Sequence, residues 1–384
     1  MIERTLTARI IALAQKFQVI TLTGPRQSGK TTLIRAAFPD LPYVSLEDPD
    51  IRQIALTDGR GFLSNYPRGA VLDEIQNTPD LFSYIQRAVD ENRQVQYILT
   101  GSSNFLLMER ISQSLAGRTA VLHLLPFSFA ELAPGPEPYE SVIFKGQYPR
   151  IYDRDIAPTE FYPSYIQTYV EKDVRLVKNI GDINAFIQFT RLCAGRIGQL
   201  LNLTSLANDA GISPNTAKAW LSILESSYIL YRLQPYHRNF NKRLVKSPKL
   251  YFYDTGVACS LLGIRAEDQV ALHYMKGALF ENLIINEFLK NYFHRGENRQ
   301  PHFWQDNHGK EIDCLLVDGE AITPVEIKSG KTMSPSYFDH LKYWQSLANL
   351  PGNQGYVVYG GDQSMQSSAG SFISWRHVVG HMPD

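Results

Sequence analysis

The stretch Gly24-Pro25-Arg26-Gln27-Ser28-Gly29-Lys30-Thr31 decides how the chain is read. It fits the pattern GxxxxGK[ST]. It follows an apolar run, Val19-Ile20-Thr21-Leu22, that reads as a buried strand, and it leads into Thr32-Leu33-Ile34-Arg35-Ala36-Ala37, which reads as a helix. Strand, tight loop and helix in that order aim successive backbone N–H groups and a helix N-terminus, of roughly +0.5 charge, at one point. A nucleotide polyphosphate fits there. Gly24 and Gly29 permit backbone geometry that a Cβ would block. Lys30 would reach the β- and γ-phosphates, and the Thr31 hydroxyl would ligate Mg²⁺. Pro25, Arg26, Gln27, Ser28 and Thr32 complete the stretch expected to contact ATP.

The rest of the composition bounds the chain. With 384 residues, two or three domains are expected. Lys plus Arg and Asp plus Glu are equal at 38 each, so overall charge gives no reason to expect a polyanionic partner, and any basic surface must be local. Cys193, Cys259 and Cys314 are widely separated and form no CxxC, so neither a disulfide nor a zinc framework follows. The amino terminus lacks an apolar leader, and no apolar stretch approaches the ~18 residues a membrane span needs. The expectation is a cytoplasmic protein without a membrane partner.

About forty residues beyond the loop, Gly69-Ala70-Val71-Leu72-Asp73-Glu74 reads as a short strand ending in two carboxylates, and it resembles a Walker B segment. On a strand expected beside the first one, Asp73 would hold Mg²⁺ and Glu74 would polarise an attacking water as general base. A third strand, from Val95, runs into Thr100, Ser102 and Ser103, candidates for a polar sensor of the γ-phosphate. Leu115-Ala116-Gly117-Arg118 then precedes a strand from Thr119 to Leu125. Arg118 is the candidate arginine finger, and acting in trans it would require a homo-oligomer.

In that order, Gly-Pro-Arg-Gln-Ser-Gly-Lys-Thr-Thr, Leu-Asp-Glu-Ile-Gln, Leu-Thr-Gly-Ser-Ser and Leu-Ala-Gly-Arg resemble the prokaryotic AAA+-type ATPases that carry a C-terminal domain of unknown function related to restriction-endonuclease folds. The strings Ser247 to Gly256 and Val325 to Gly330 extend the likeness over nearly the whole chain. The resemblance implies an α/β protein: a P-loop NTPase (AAA+-like) parallel-sheet domain, a helical and winged-helix middle, and a C-terminal α/β restriction-endonuclease-like domain. The expected boundaries are 1–135, 136–250 and 251–384.

Pro134-Gly135-Pro136-Glu137-Pro138 marks the loop that ends the first domain, and helical spacing resumes from Phe161 to Ile180. Leu203 to Leu221 then reads as a helix-turn-helix, with Gly211 at the stop, Ser213 as the next cap and Pro214 in the following first turn. The second helix would run to about Ser226 and present Asn215, Lys218 and Ser222 to a major groove, with Tyr228 to Leu233 as a wing strand. Arg238, Lys242, Arg243, Lys246 and Lys249 follow without an intervening acid, a basic strip suited to the phosphates of duplex or branched DNA.

Beyond Gly277 the spacing predicts an amphipathic helix carrying Glu281. Asp313, Glu326 and Lys328 follow on two strands of a hairpin. With Glu281 they fit the E…D…ExK arrangement of the PD-(D/E)XK nucleases, in which the three carboxylates would hold Mg²⁺ and the lysine would orient a water. Three functions are therefore open: an ATPase acting on nucleic acid, a nucleotide-regulated protein-assembly scaffold in a defence or toxin system, and an ATP-dependent metal nuclease.

Overall fold

β1 (Val19–Thr23) is buried at every position, as a strand covered on both faces by helices must be. A computed structural model describes residues 2–102, 110–169, 182–236, 244–348 and 355–382. They fall into two compact units. The first comprises Met1–Phe127, Ser226–Tyr228 and Tyr292–Asn298, and the second comprises the remainder.

In the first unit, β1 is joined by β2 (Tyr43–Ser45), β3 (Gly69–Asp73), β4 (Gln96–Gly101) and β5 (Thr119–His123). The order across the sheet is β2-β3-β4-β1-β5, and every pairing is parallel. Parallel neighbours need crossovers, which helices such as Lys30–Ala37 and Leu81–Glu91 supply. Their apolar faces close two cores, one around Ile20, Leu22, Ile34 and Ile98 and the other around Leu72, Phe82, Ile85 and Leu99. One expectation is corrected here: β3 does not lie beside β1, because β4 is inserted between them. Strand adjacency is a long-range choice that apolar runs of similar composition do not encode.

The second unit carries a helix-turn-helix, Leu203–Asp209 and Pro214–Ser226, followed by an antiparallel pair, β6 (Leu230–Leu233) and β7 (Lys249–Phe252). Trp220 anchors the second helix by edge contacts with Phe186 and Phe189, their centroids 5.3 and 5.6 Å away. Helix Lys276–His294 is buried through Asn282–Lys290 rather than amphipathic, and Asn282, Asn286 and Glu287 within it find hydrogen-bond partners on neighbouring segments. Asn282 accepts from the Phe252 N–H at 2.9 Å and donates to the Phe252 carbonyl at 2.7 Å, so it docks on β7 much as a strand partner would. Glu287 accepts from the Phe129 N–H at 2.6 Å and from Gln147 at 2.7 Å.

β8 (His302–Gln305), β9 (Glu311–Asp318) and β10 (Ala321–Lys328) continue this unit as an antiparallel meander. Helix Asp339–Ala348 precedes β11 (Tyr356–Tyr359), which pairs parallel with β10. β12 (Met365–Ser367) and β13 (Gly370–Ser374) complete a six-stranded sheet in the order β12-β13-β11-β10-β9-β8. Trp344, Trp304 and Phe338 fill the space between that helix and the sheet.

Candidate functional site

The loop from Gly24 to Gly29 leaves the carboxyl end of β1 and enters helix Lys30–Ala37. Gly24 has φ +154°, and a Cβ there would stand 2.1 Å from the Leu124 carbonyl oxygen, so only glycine fits without moving backbone. Gly29, at φ +93°, caps the helix in the left-handed region, and Gln27 takes φ +62° at the turn. Pro25 and Ser28 are buried, Arg26 leans toward Glu47 at 3.8 Å, and Thr31 and Thr32 occupy the first turn of the helix. The Lys30 ammonium donates to the carbonyls of Gly24 and Pro25, both at 2.8 Å, which places it within the concavity of the loop.

All five strands are parallel, so β3 and β4 end at the same edge as β1. Asp73 closes β3, and its carboxylate collects three hydroxyls: Thr31 Oγ1 at 3.0 Å, the Tyr43 hydroxyl at 2.5 Å and Thr100 Oγ1 from β4. Burial and the facing Asp73 push the Tyr43 phenol above its ordinary value, so it stays a donor. The Thr31 hydroxyl and the Asp73 carboxylate are hard oxygen donors in direct contact, a pair that fits Mg²⁺. Glu74, next in sequence, sits at φ +56° and accepts from Ser102 Oγ at 3.0 Å and from Gln76. The inserted strand β4 thus supplies the Thr100 hydroxyl to Asp73, and Ser102, just beyond its end, supplies one to Glu74. Ser103 lies outside the described residues.

Arg118 stands elsewhere. It precedes β5, whose first residue pairs with Val19 at the start of β1, so it lies at the opposite edge of the sheet, about 15 Å along the strands from the loop. There it makes a two-pronged contact with Asp90, at 2.7 and 3.0 Å, on the surface. It cannot serve the loop of its own chain. Two residues with no sequence signal support that loop: Arg4, buried, donates to the carbonyls of Ser28 and Leu125 at 2.7 Å each, and Tyr43 reaches Asp73 as described. An isolated arginine near the amino terminus and a tyrosine in a short strand look like ordinary surface and core residues until the chain is folded.

Residues 16–133 match the family model of an AAA domain. The next segments, 136–268 and 276–378, match two domains of unknown function (DUF8612 and DUF4143). Over 369 residues the chain is 27% identical to uncharacterized proteins of Mycobacterium bovis and Mycobacterium tuberculosis, a span covering 94% of this chain and 80% of each relative. An uncharacterized protein of Methanocaldococcus jannaschii is 23% identical over 333 residues, 78% of this chain and 72% of the relative. Among solved structures, a Walker-type ATPase of Pyrococcus abyssi aligns with a TM-score of 0.47 and 15% identity, over 68% of this chain and 96% of that one. Domain III of the Thermotoga maritima replication initiation protein DnaA aligns with a TM-score of 0.25 and 14% identity, over 53% and 88%. The AAA match and the phosphate loop at the carboxyl edge of the parallel sheet make residues 16–133 similar to a P-loop AAA-type domain, an ATP-binding fold.

In the second unit, Asn215, Lys218 and Ser222 lie on the exposed side of helix Pro214–Ser226, while Ala217, Trp220, Leu221 and Leu224 face inward. Ser213 caps the helix by accepting the Thr216 N–H at 3.1 Å. Lys246 is exposed, whereas Arg238, Lys242 and Arg243 lie outside the described residues. Lys249 leaves the expected basic strip. Its position in β7 turns it inward, where it pairs with Glu281 at 3.5 Å and with Glu311.

β9 and β10 do bring Asp313, Glu326 and Lys328 to one face. Lys328 Nζ lies 3.0 Å from Asp313 and 2.5 Å from Glu326, and the Ile327 N–H donates to Asp313 at 2.7 Å. The carboxylates whose oxygens converge within 4.8 Å are Glu281, Glu311 and Asp313, so Glu311 takes the place expected for Glu326. Period-two alternation was the available signal, because Glu311 and Asp313 are two apart on one strand. Burial first, and Asp313 second, push Glu326 up to about 9, while burial pushes Glu281 up to about 7 against the pull of Lys249.

No helix among the described residues is long and apolar enough to cross a membrane. Cys193, Cys259 and Cys314 are all buried free thiols.

Proposed function

We propose that this protein hydrolyses ATP at the Gly24–Thr31 loop and directs the cycle onto nucleic acid through the helix-turn-helix of the second unit. The observation that carries the reading is the Thr31–Asp73–Glu74 arrangement, with the hydroxyl of the loop bonded to one carboxylate and a second carboxylate next in sequence at the same sheet edge. ATP, bound through Lys30 and the loop amides, would bring Mg²⁺ between Thr31 and Asp73, and the metal would neutralise developing phosphate charge. Glu74, oriented by Ser102 and Gln76, is the base that takes a proton from water.

Asn215, Lys218, Ser222 and Lys246 are the described residues offered to DNA, with Arg238, Lys242 and Arg243 added from the sequence. The strand pair behind the second helix supports a winged-helix role in this reading. Segments 1–135, 136–250 and 251–384 are the functional divisions of this reading. The test is binding to duplex, single-stranded and branched DNA across a salt series, with and without an ATP analogue and Mg²⁺. Binding should fall steeply as salt rises. Turnover that is insensitive to DNA, with no salt-dependent binding to any of the three, would move the protein to the assembly-scaffold function.

A further inference from the structure

We propose that the acid cluster of the second unit is built around a lysine rather than around a divalent metal, with the Lys249 ammonium as its resident cation. A divalent ion is what the E…D…ExK spacing implies, and three carboxylates do converge. One oxygen of each, however, already serves internal donors. Glu281 Oε1 accepts from Lys249 at 3.5 Å and from the Tyr251 hydroxyl, Glu311 Oε1 accepts from Lys249, and Asp313 Oδ2 accepts from Lys328 and the Ile327 amide. The Lys249 side chain is 4% exposed and lies 5.4 Å from the centroid of the Phe303 ring, so carboxylates and an aromatic face enclose it.

The charge balance points the same way. Burial works against the Lys249 ammonium, but Glu281, Glu311 and Asp313 more than offset it and hold the group protonated. Four acids, Glu326 among them, face two ammonium groups, Lys249 and Lys328, and burial draws Glu281, Glu311 and Glu326 toward their neutral forms. Little net negative charge remains to attract Mg²⁺, and an incoming divalent ion would meet a buried ammonium already seated among the carboxylates.

Lys249 also comes from a different segment than the acids. It lies within residues 136–268, and the acids lie within 276–378. The cluster therefore acts as a polar fastener between the strand pair and the C-terminal sheet, both within the second unit, and phosphodiester hydrolysis by bound metal is not its chemistry.

The experiment is Mn²⁺ titration of the full chain without nucleotide, read by the electron paramagnetic resonance signal of free Mn²⁺. Omitting ATP separates the result from the reading of the phosphate loop. Wild type should bind no Mn²⁺ below millimolar concentration. Lys249→Met, close in length but uncharged, should gain one site at least tenfold tighter, and adding Asp313→Asn should remove it. A wild-type site abolished by Asp313→Asn would overturn the proposal, as would a folded Lys249→Met that gains none. Should Lys249→Met fail to fold, the wild-type and Asp313→Asn titrations still decide it, and Lys249→Arg should fold and exclude Mn²⁺ as wild type does.

Discussion

Asp73 has two separable jobs, and two substitutions distinguish them. Its carboxylate satisfies the hydroxyls of Thr31, Tyr43 and Thr100, and of these Thr100 is fully buried. Asp73→Ala would leave that hydroxyl without a partner, at a cost of about 1–3 kcal/mol, while Thr31 and Tyr43, only partly buried, can turn to water. Lost packing of the carboxylate brings the total to about 2–4 kcal/mol. Asp73→Asn keeps the shape, and because hydroxyls accept as well as donate, an amide can serve all three sites for about 1 kcal/mol or less. The negative charge that would hold Mg²⁺ is lost in both.

Thermal unfolding of the full chain with and without an ATP analogue and Mg²⁺ reads both jobs. Without ligand, Asp73→Ala should lower the transition by on the order of 10 °C and Asp73→Asn by a few degrees. The whole nucleotide shift is worth about 2.7 kcal/mol at a hundredfold excess over Kd, and its Mg²⁺-dependent part should vanish in both variants. Equal destabilisation by Asn and Ala without ligand would refute the hydrogen-bond account. A full Mg²⁺-dependent shift in Asp73→Asn would refute the metal-ligand account.

Lys30→Ala should abolish ATP-analogue binding measured by calorimetry, whereas Glu74→Gln should retain binding and slow turnover by about 10²–10⁴; unchanged turnover in Glu74→Gln would remove its role as base. Arg118→Ala should change turnover less than twofold in a preparation that size-exclusion chromatography shows to be monomeric, since Arg118 sits at the far sheet edge paired with Asp90; a larger loss seen only in self-associated protein would instead place it as a finger in trans. His123 lies 2.9 Å from the Tyr228 hydroxyl and stacks on Phe293, and burial pushes its imidazole down to about 4. The folded state therefore favours the neutral ring. Its contribution is whole above pH 6.5 and is lost as pH falls through 4, by about 3 kcal/mol in full. Urea unfolding at pH 7 and pH 4.5 should show His123→Gln losing less stability on acidification than wild type.

What could be read from the chain alone was local. The phosphate loop, the carboxylate pair after an apolar strand and the helix-turn-helix with its Gly211 stop each depend on residues within one or two turns of each other, where spacing dictates geometry. Alternation within β9 and β10 likewise put Asp313, Glu326 and Lys328 on one face without reference to the rest of the protein.

Tertiary structure decided what those pieces meet. The insertion of β4 between β1 and β3 brought the Thr100 hydroxyl to Asp73 and the Ser102 hydroxyl to Glu74. Parallel register sent Arg118 to the edge away from the loop, and pairing of β7 with β6 turned Lys249 from a surface cation into the centre of an acid cluster. The physical reason is common to all three. A side chain's type is written in the sequence, but its charge state, burial and partners are set by residues tens or hundreds of positions away, brought close only when apolar faces are buried together.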